Sequence, residues 1–191
     1  MITQATLDLL DSELRKSTKR YKRMPFEDRH KLYVHEIRID PYLSNKMYSK
    51  IKSLSWSQQF KYSEHPDFEK LIKSNDIGVY IMYVRPNDLI MEMPQHVMYV
   101  GISGENGSAR PLRKRLNDYF YFKKIKLRDN IHKMLQMYYE HVFIRYAFFK
   151  GSYQDLEYLE KYLHEYFYPR FGKRDFEPQT KAAQSAWNTG Q

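Results

Sequence analysis

The chain has 191 residues, no cysteine and a formal net charge of +9, with 42% hydrophobic and 16% aromatic residues. That composition is too apolar for disorder and sufficient for a core, so one domain with an accessory segment is expected. The missing cysteine excludes a disulfide scaffold, a thiolate zinc site and a cysteine nucleophile, while the positive charge favours a polyanionic partner, most often nucleic acid.

The opening MITQATLDLLDSELRK carries acidic residues and lacks the apolar core of a signal peptide, and no run approaches a membrane span. A soluble, cytoplasmic protein is the expectation. Leu7, Leu10 and Leu14 follow helical spacing and lead into six basic residues within nine, Arg15, Lys16, Lys19, Arg20, Lys22 and Arg23. With Tyr21 interleaved, Lys19, Arg20, Lys22 and Arg23 are candidate DNA contacts; the plain alternative is a solvated helix end. Residues 24–60 read as two or three short helices broken near Pro41, with Pro25, Glu27 and Asp28 suited to a helix start. His30 and His35 have no third ligand nearby and read as surface or capping groups. Pro66-Asp67-Phe68-Glu69-Lys70 superficially matches the PD-(D/E)xK nuclease signature. That signature needs its two halves on separate strands, so the contiguous version is discarded. The polar stretch Lys73–Asp76 then separates a basic, mainly helical accessory segment, 1–75, from a core at 76–191.

The core opens with IGVYIMYV (77–84) and VMYVG (97–101), two β-rich runs joined by the polar RPNDLIMEMPQ, which suits an antiparallel hairpin. Alternation sets Tyr80 with Gly78, Met82 and Val84, and Tyr99 with Val97 and Gly101. GISGENGSAR reads as a flexible loop, and a helix starts at Pro111 in PLRKRLNDYF. Leu112, Leu116, Tyr119 and Phe120 form the packing face of that helix and Arg115 borders it. Arg113 and Lys114 point outward, toward phosphates or only water. In 126–141, Ile131, Met134, Leu135 and Tyr138 are at helical spacing; VFIRYAFFK (142–150) reads as a third strand and 153–168 as a final helix. The expected class is α/β (α+β), a small three-stranded, mainly antiparallel sheet flanked by helices.

In the final helix Leu156, Leu159, Leu163 and Phe167 trace the buried stripe, and Glu160 lies on it. A buried carboxylate is costly unless it is paired or holds a metal. Glu157 and Glu165 read as ordinary solvated acids. The alternative for Glu160 is a structural ion pair. One arginine, Arg115, and one glutamate, Glu160, are thus candidates to meet in a cleft beside a tyrosine-bearing sheet.

Gly78-Val79-Tyr80, Tyr99-Val100-Gly101, PLRKRLNDYF and LEKYLHEYFYPRF (159–171), in that order, resemble the GIY-YIG nuclease family across residues 76–188. The resemblance implies a DNA endonuclease that leaves 5′-phosphate and 3′-hydroxyl ends, with one Mg²⁺ or Mn²⁺ per active site held by Glu160. Arg115 would stabilise the phosphate oxygens, and Tyr99 would act as general base on the attacking water. Tyr80 would orient that water or share the role, and Tyr119, where the family has Tyr or His, would hydrogen-bond the phosphate. Two positions depart from the pattern. Ile102 stands where many members have lysine, which makes Arg110 the candidate substitute cation. Gly172 stands where an asparagine often follows Pro-Arg-Phe, which leaves Asn188 as the candidate equivalent, or else part of a disordered tail. With Arg110, Arg113 and Lys114 also in reach of DNA, the expected substrate is double-stranded DNA. No large extra domain, zinc domain or long DNA-binding tail is recognisable, so a stand-alone restriction-type enzyme is expected, compatible with a homodimer. The rivals are a phage-type degradative or repair nuclease, a DNA-binding module without catalysis, and a small basic ribonuclease or RNA-binding protein, for which no RNP or KH motif is present.

Overall fold

Every residue of the strand Gly78–Val84 (β2) is buried, so the run IGVYIMYV is apolar on both faces because both faces are covered. The computed structural model describes residues 2–7, 9, 53–85, 96–104 and 110–171. Around β2 it builds one antiparallel sheet in which β1 (Phe60–Lys61), β3 (His96–Ile102) and β4 (Val142–Phe148) join in the order β1-β4-β2-β3. The helices are α1 (Phe68–Leu71), α2 (Leu112–Asn117), α3 (Phe122–Ile125), α4 (Asp129–Tyr138) and α5 (Tyr153–Phe167). Among the described residues, no helix is long and apolar enough to cross a membrane.

The sheet has four strands where three are expected from the sequence. The extra strand comes from the end of a stretch expected to be helical. Trp56 bridges Ala147, the Ser57 N–H donates to the Tyr146 carbonyl at 2.7 Å, and Phe60 and Lys61 pair with Ile144 and Phe143. Leu54, Trp56, Phe60 and Tyr62 alternate with polar or small neighbours, a strand period that a helical reading passes over. These residues lie before the boundary expected at 75, and Tyr62, Phe68 and Ile72 share the core that holds Tyr80.

Two cores flank the sheet. One contains Tyr80, Met82, Leu112, Leu116, Tyr119, Met134 and Leu135, together with Ile2 and Leu7 from the N-terminal residues. On the other face Val79, Ile81, Tyr83, Val100 and Ile102 meet Leu156, Leu159 and Leu163 of α5. A bulge then corrects the simple alternation along β3. Met82 pairs with Tyr99 but Tyr83 pairs with Val97, so Met98 is the extra residue. Its consequence is local: Val97 packs on the α5 side, while Met98 and Tyr99 both pack on the Tyr80 side.

Helix α5 starts with a reciprocal capping box between Ser152 and Asp155 and ends at Tyr168, in the left-handed region with φ 51°. The Phe171 N–H then donates to the Met98 carbonyl at 2.9 Å, and Phe171 packs in the Tyr80-side core. The chain therefore crosses the β3 edge of the sheet beside Tyr99. Glu165, expected to be solvated, is only 6% exposed. Residues 163–165 are buried in succession, so the last turn of α5 is enclosed more widely than a single amphipathic stripe anticipates.

Candidate active site

Two glycines make room for the tyrosines. Gly101 is the register partner of Tyr80, and a Cβ built on it would stand 2.6 Å from the Tyr80 Cζ and 3.0 Å from a ring carbon of Tyr99. Only a residue without a side chain lets the Tyr80 ring lie across β3 here. At Gly78 a Cβ would stand 3.1 Å from the Ala147 carbonyl carbon and 3.2 Å from Leu112, so this glycine allows β4 and α2 to close on β2.

Helix α2 begins after Pro111, whose fixed φ of −65° suits the position, and the Leu112 N–H is taken by the Asp76 carbonyl at 2.8 Å. Leu112 and Leu116 are fully buried, which fixes the rotation of the helix and turns Arg115 toward Tyr80. After Asn117 the chain tightens into a 3-10 turn, Asp118–Phe120, instead of continuing the helix, and this turn buries Tyr119 completely.

Three hydroxyls from three elements meet at this point. The Tyr80 and Tyr119 oxygens are 2.6 Å apart, Tyr119 donates to Tyr99 at 3.3 Å, and Arg115 Nε donates to Tyr80 at 3.1 Å. With the Arg115 donor at one end, a consistent proton order runs Arg115 to Tyr80 to Tyr119 to Tyr99, so Tyr99 is the final acceptor. Burial, then the neighbouring Tyr99, pushes the Tyr80 phenol up from its ordinary range. Burial, then Tyr80 and Tyr99, does the same to Tyr119. Both therefore stay protonated at neutral pH. For Arg115, burial opposes the charge, but the surrounding phenols outweigh it and its pKa is raised. The site is a fixed cation feeding a chain of buried donors.

Tyr99 is partly exposed, whereas Tyr80 and Tyr119 are wholly buried. The expectation that Tyr80 orients an attacking water therefore meets a physical obstacle. Its hydroxyl is enclosed and engaged by Arg115 and Tyr119.

Beside the tyrosines lies a cluster that the sequence reading missed. Asp118, 6% exposed, has Arg110 Nη2 at 2.5 Å and Arg128 Nη2 at 3.5 Å, both measured to Oδ2. These are charge-to-charge approaches; neither guanidinium gives that oxygen an aligned hydrogen bond. The Arg128 guanidinium also stands 4.6 Å from the Tyr119 ring centroid, and its Nη1 is buried without a hydrogen-bond partner. Two guanidiniums on one carboxylate leave excess positive charge beside Tyr119. Arg110, proposed from sequence as the cation replacing the family lysine, is thus already engaged. The Ile102 side chain is 1% exposed in the α5-side core, so that position serves packing.

Of the other candidates, Arg113 pairs with Glu69 at 3.1 Å and Lys114 is exposed. The discarded Asp67-Phe68-Glu69-Lys70 run has structural work: Asp67 caps α1 and bonds Lys70 at 3.0 Å, while Glu69 holds Arg113 and Asn117. Asn188 and the basic residues Lys19, Arg20, Lys22 and Arg23 lie outside the described residues.

Glu160 borders the buried stripe of α5, with a side chain 22% exposed and His164 Nε2 4.0 Å away. Its helix packs on the sheet face opposite Tyr80 and Tyr119. Among the described residues no three His, Asp or Glu side chains gather as a metal site. Mg²⁺ needs only one or two carboxylates and keeps several waters. The Glu160 carboxylate, a hard oxygen donor reachable from solvent, fits that demand. No family model, no curated protein and no solved structure matches the chain.

Proposed function

We propose that this chain is a metal-dependent DNA endonuclease of the GIY-YIG type, a stand-alone, restriction-like enzyme leaving 5′-phosphate and 3′-hydroxyl ends. One observation carries the reading. Tyr80, Tyr99, Arg115 and Tyr119, singled out by motif position, converge from β2, β3, α2 and the turn after it through hydrogen bonds of 2.6–3.3 Å. A hydrophobic core gains little from four polar side chains, and each buried one is costly unless satisfied.

The roles follow from burial and proton order. Arg115 holds a permanent charge near the phosphate, and its planar fork suits phosphate oxygens better than an ammonium does. Tyr80 and Tyr119 stay protonated, so they donate and position rather than accept protons. Tyr99, solvent-accessible and the acceptor at the end of the chain, is the general base. Glu160 would hold the Mg²⁺ or Mn²⁺, which supplies charge relief at the phosphate and the leaving oxygen.

A second reading has its own observation. Glu160 sits on a helix packed against the opposite face of the sheet, which favours a DNA-binding module that has the tyrosine site without the metal arm. Nicking of a supercoiled plasmid with Mg²⁺ separates the two. The nuclease reading expects relaxed plasmid from the wild type and none from Arg115→Ala; intact plasmid in both, with DNA bound, supports the binding module.

A further inference from the structure

Immediately after Tyr119 the chain reads FYFKKIKLR (120–128), four basic residues and no acid. Ile125 is fully buried and pins the segment. The turns on either side are hydrogen-bonded: Lys124 and Ile125 N–H to Tyr121 O at 2.9 and 3.1 Å, Lys126 N–H to Phe122 O at 3.0 Å, Arg128 N–H to Ile125 O at 2.9 Å. What this fixed turn presents to solvent is unusual. Tyr121 is 60% exposed, Phe122 36% and Leu127 82%, and Lys123 and Lys124 are exposed between them. Large apolar side chains on a pinned turn are there at a cost in solubility unless something covers them.

We infer that this turn is a nucleic-acid contact for unpaired nucleotides: Lys123 and Lys124 meet phosphates and Tyr121 stacks on an unstacked base. Charge complementarity selects a polyanion. Continuity selects its kind, because the turn runs directly from Tyr119 to Arg128, the guanidinium that lies over the Tyr119 ring and keeps a buried donor without a partner. An exposed aromatic between cations is the arrangement that grips single strands, since every base offers a ring face while duplex bases are stacked on each other. The partner class rests on the nucleic-acid reading above, but the preference for unpaired bases goes beyond it. A strand melted or frayed beside the cleavage site would occupy this turn.

The test uses the full chain in EDTA, so that binding is read without cleavage. Fluorescence anisotropy is measured on a labelled single-stranded oligodeoxynucleotide and on a blunt duplex of the same sequence. Tyr121→Ala is expected to weaken single-strand binding roughly tenfold and duplex binding less than about twofold. Lys123→Ala with Lys124→Ala should lower the slope of log K against log salt on the single strand by about 1.4, about 0.7 for each phosphate no longer neutralised. These side chains are exposed, and unchanged circular dichroism melting will show that the variants fold. An unchanged single-strand affinity and slope would overturn the inference, as would a Tyr121→Ala loss no larger on the single strand than on the duplex. So would binding to phosphatidylserine vesicles that depends on these residues while oligonucleotide binding does not, which would make the turn a lipid contact. A protein that grips single strands through Tyr121 yet cuts no plasmid keeps this inference and loses the nuclease reading; the reverse pair of results does the opposite.

Discussion

The Tyr80 ring lies across Gly101, its register partner on β3, so closely that any Cβ there would stand 2.6 Å from the ring's Cζ. Tyr80 is fully buried and held by Arg115 and Tyr119, so it has nowhere to move. Gly101→Ala should therefore destabilise the fold by about 1–3 kcal/mol, the usual cost of overpacking. Thermal denaturation checks this, and a variant as stable as wild type would mean that Tyr80 is not wedged there.

Tyr80 and Tyr99 should separate cleanly when each loses only its hydroxyl. Tyr80→Phe removes the acceptor of the Arg115 Nε–H and the donor to the Tyr119 oxygen in a buried site, a loss of about 1–3 kcal/mol of stability. Tyr99→Phe takes away the acceptor of the longer, 3.3 Å bond from Tyr119 at a partly exposed position, so it should cost less stability than Tyr80→Phe while lowering plasmid nicking by about 10²-fold or more. Full nicking by Tyr99→Phe would remove it as the base.

Arg115→Lys keeps a charge but loses the fork that bonds Tyr80, so cleavage should fall by about 10²-fold with little change in DNA affinity. Arg113→Ala is the control, because Arg113 forms a partly exposed pair with Glu69, worth at most about 1 kcal/mol. If Arg113→Ala proves crippling and Arg115→Lys does not, the catalytic arginine has been assigned to the wrong position.

The buried phenols also set an alkaline limit. Folding raises the pKa of Tyr80 and Tyr119 above the unfolded value of about 10. At high pH the folded chain binds more protons than the unfolded one, so stability is full below about pH 10 and falls as pH rises beyond it. Denaturant titrations from pH 8 upward should show that fall, and Tyr80→Phe should flatten it. Equal slopes in the two proteins would contradict the burial of this phenol as an energetic feature.

Much of this arrangement was legible in the sequence, for stated reasons. Strands β2 and β3, the α5 stripe and the tyrosine and arginine positions were readable because each rests on local periodicity or short-range motif order. What escaped depends on distant partners. β1 exists because 56–61 find β4 some eighty residues away, and nothing local rewards that pairing. The bulge at Met98 moves Val97 to the other face, and alternation cannot foresee an inserted residue. Asp118, Arg110 and Arg128 meet only because α2 tightens into a 3-10 turn, and in KKIKLRD nothing distinguishes Arg128 from its solvated neighbours. The cleft expected between Arg115 and Glu160 was read from two separate helices. Their packing on opposite faces of the sheet could not be read from either one.

The assignment of Glu160 and the claim of phosphodiester hydrolysis are tested together by end-mapped cleavage of a mixed-sequence DNA duplex with Mg²⁺, using wild type and Glu160→Gln. Wild type should produce 5′-phosphate and 3′-hydroxyl ends. Glu160→Gln should produce none while binding the duplex as tightly or more tightly, because it would remove the proposed metal ligand and a negative charge that repels phosphate. No cutting by wild type, or Mg²⁺-dependent cutting that survives in Glu160→Gln, would contradict the account.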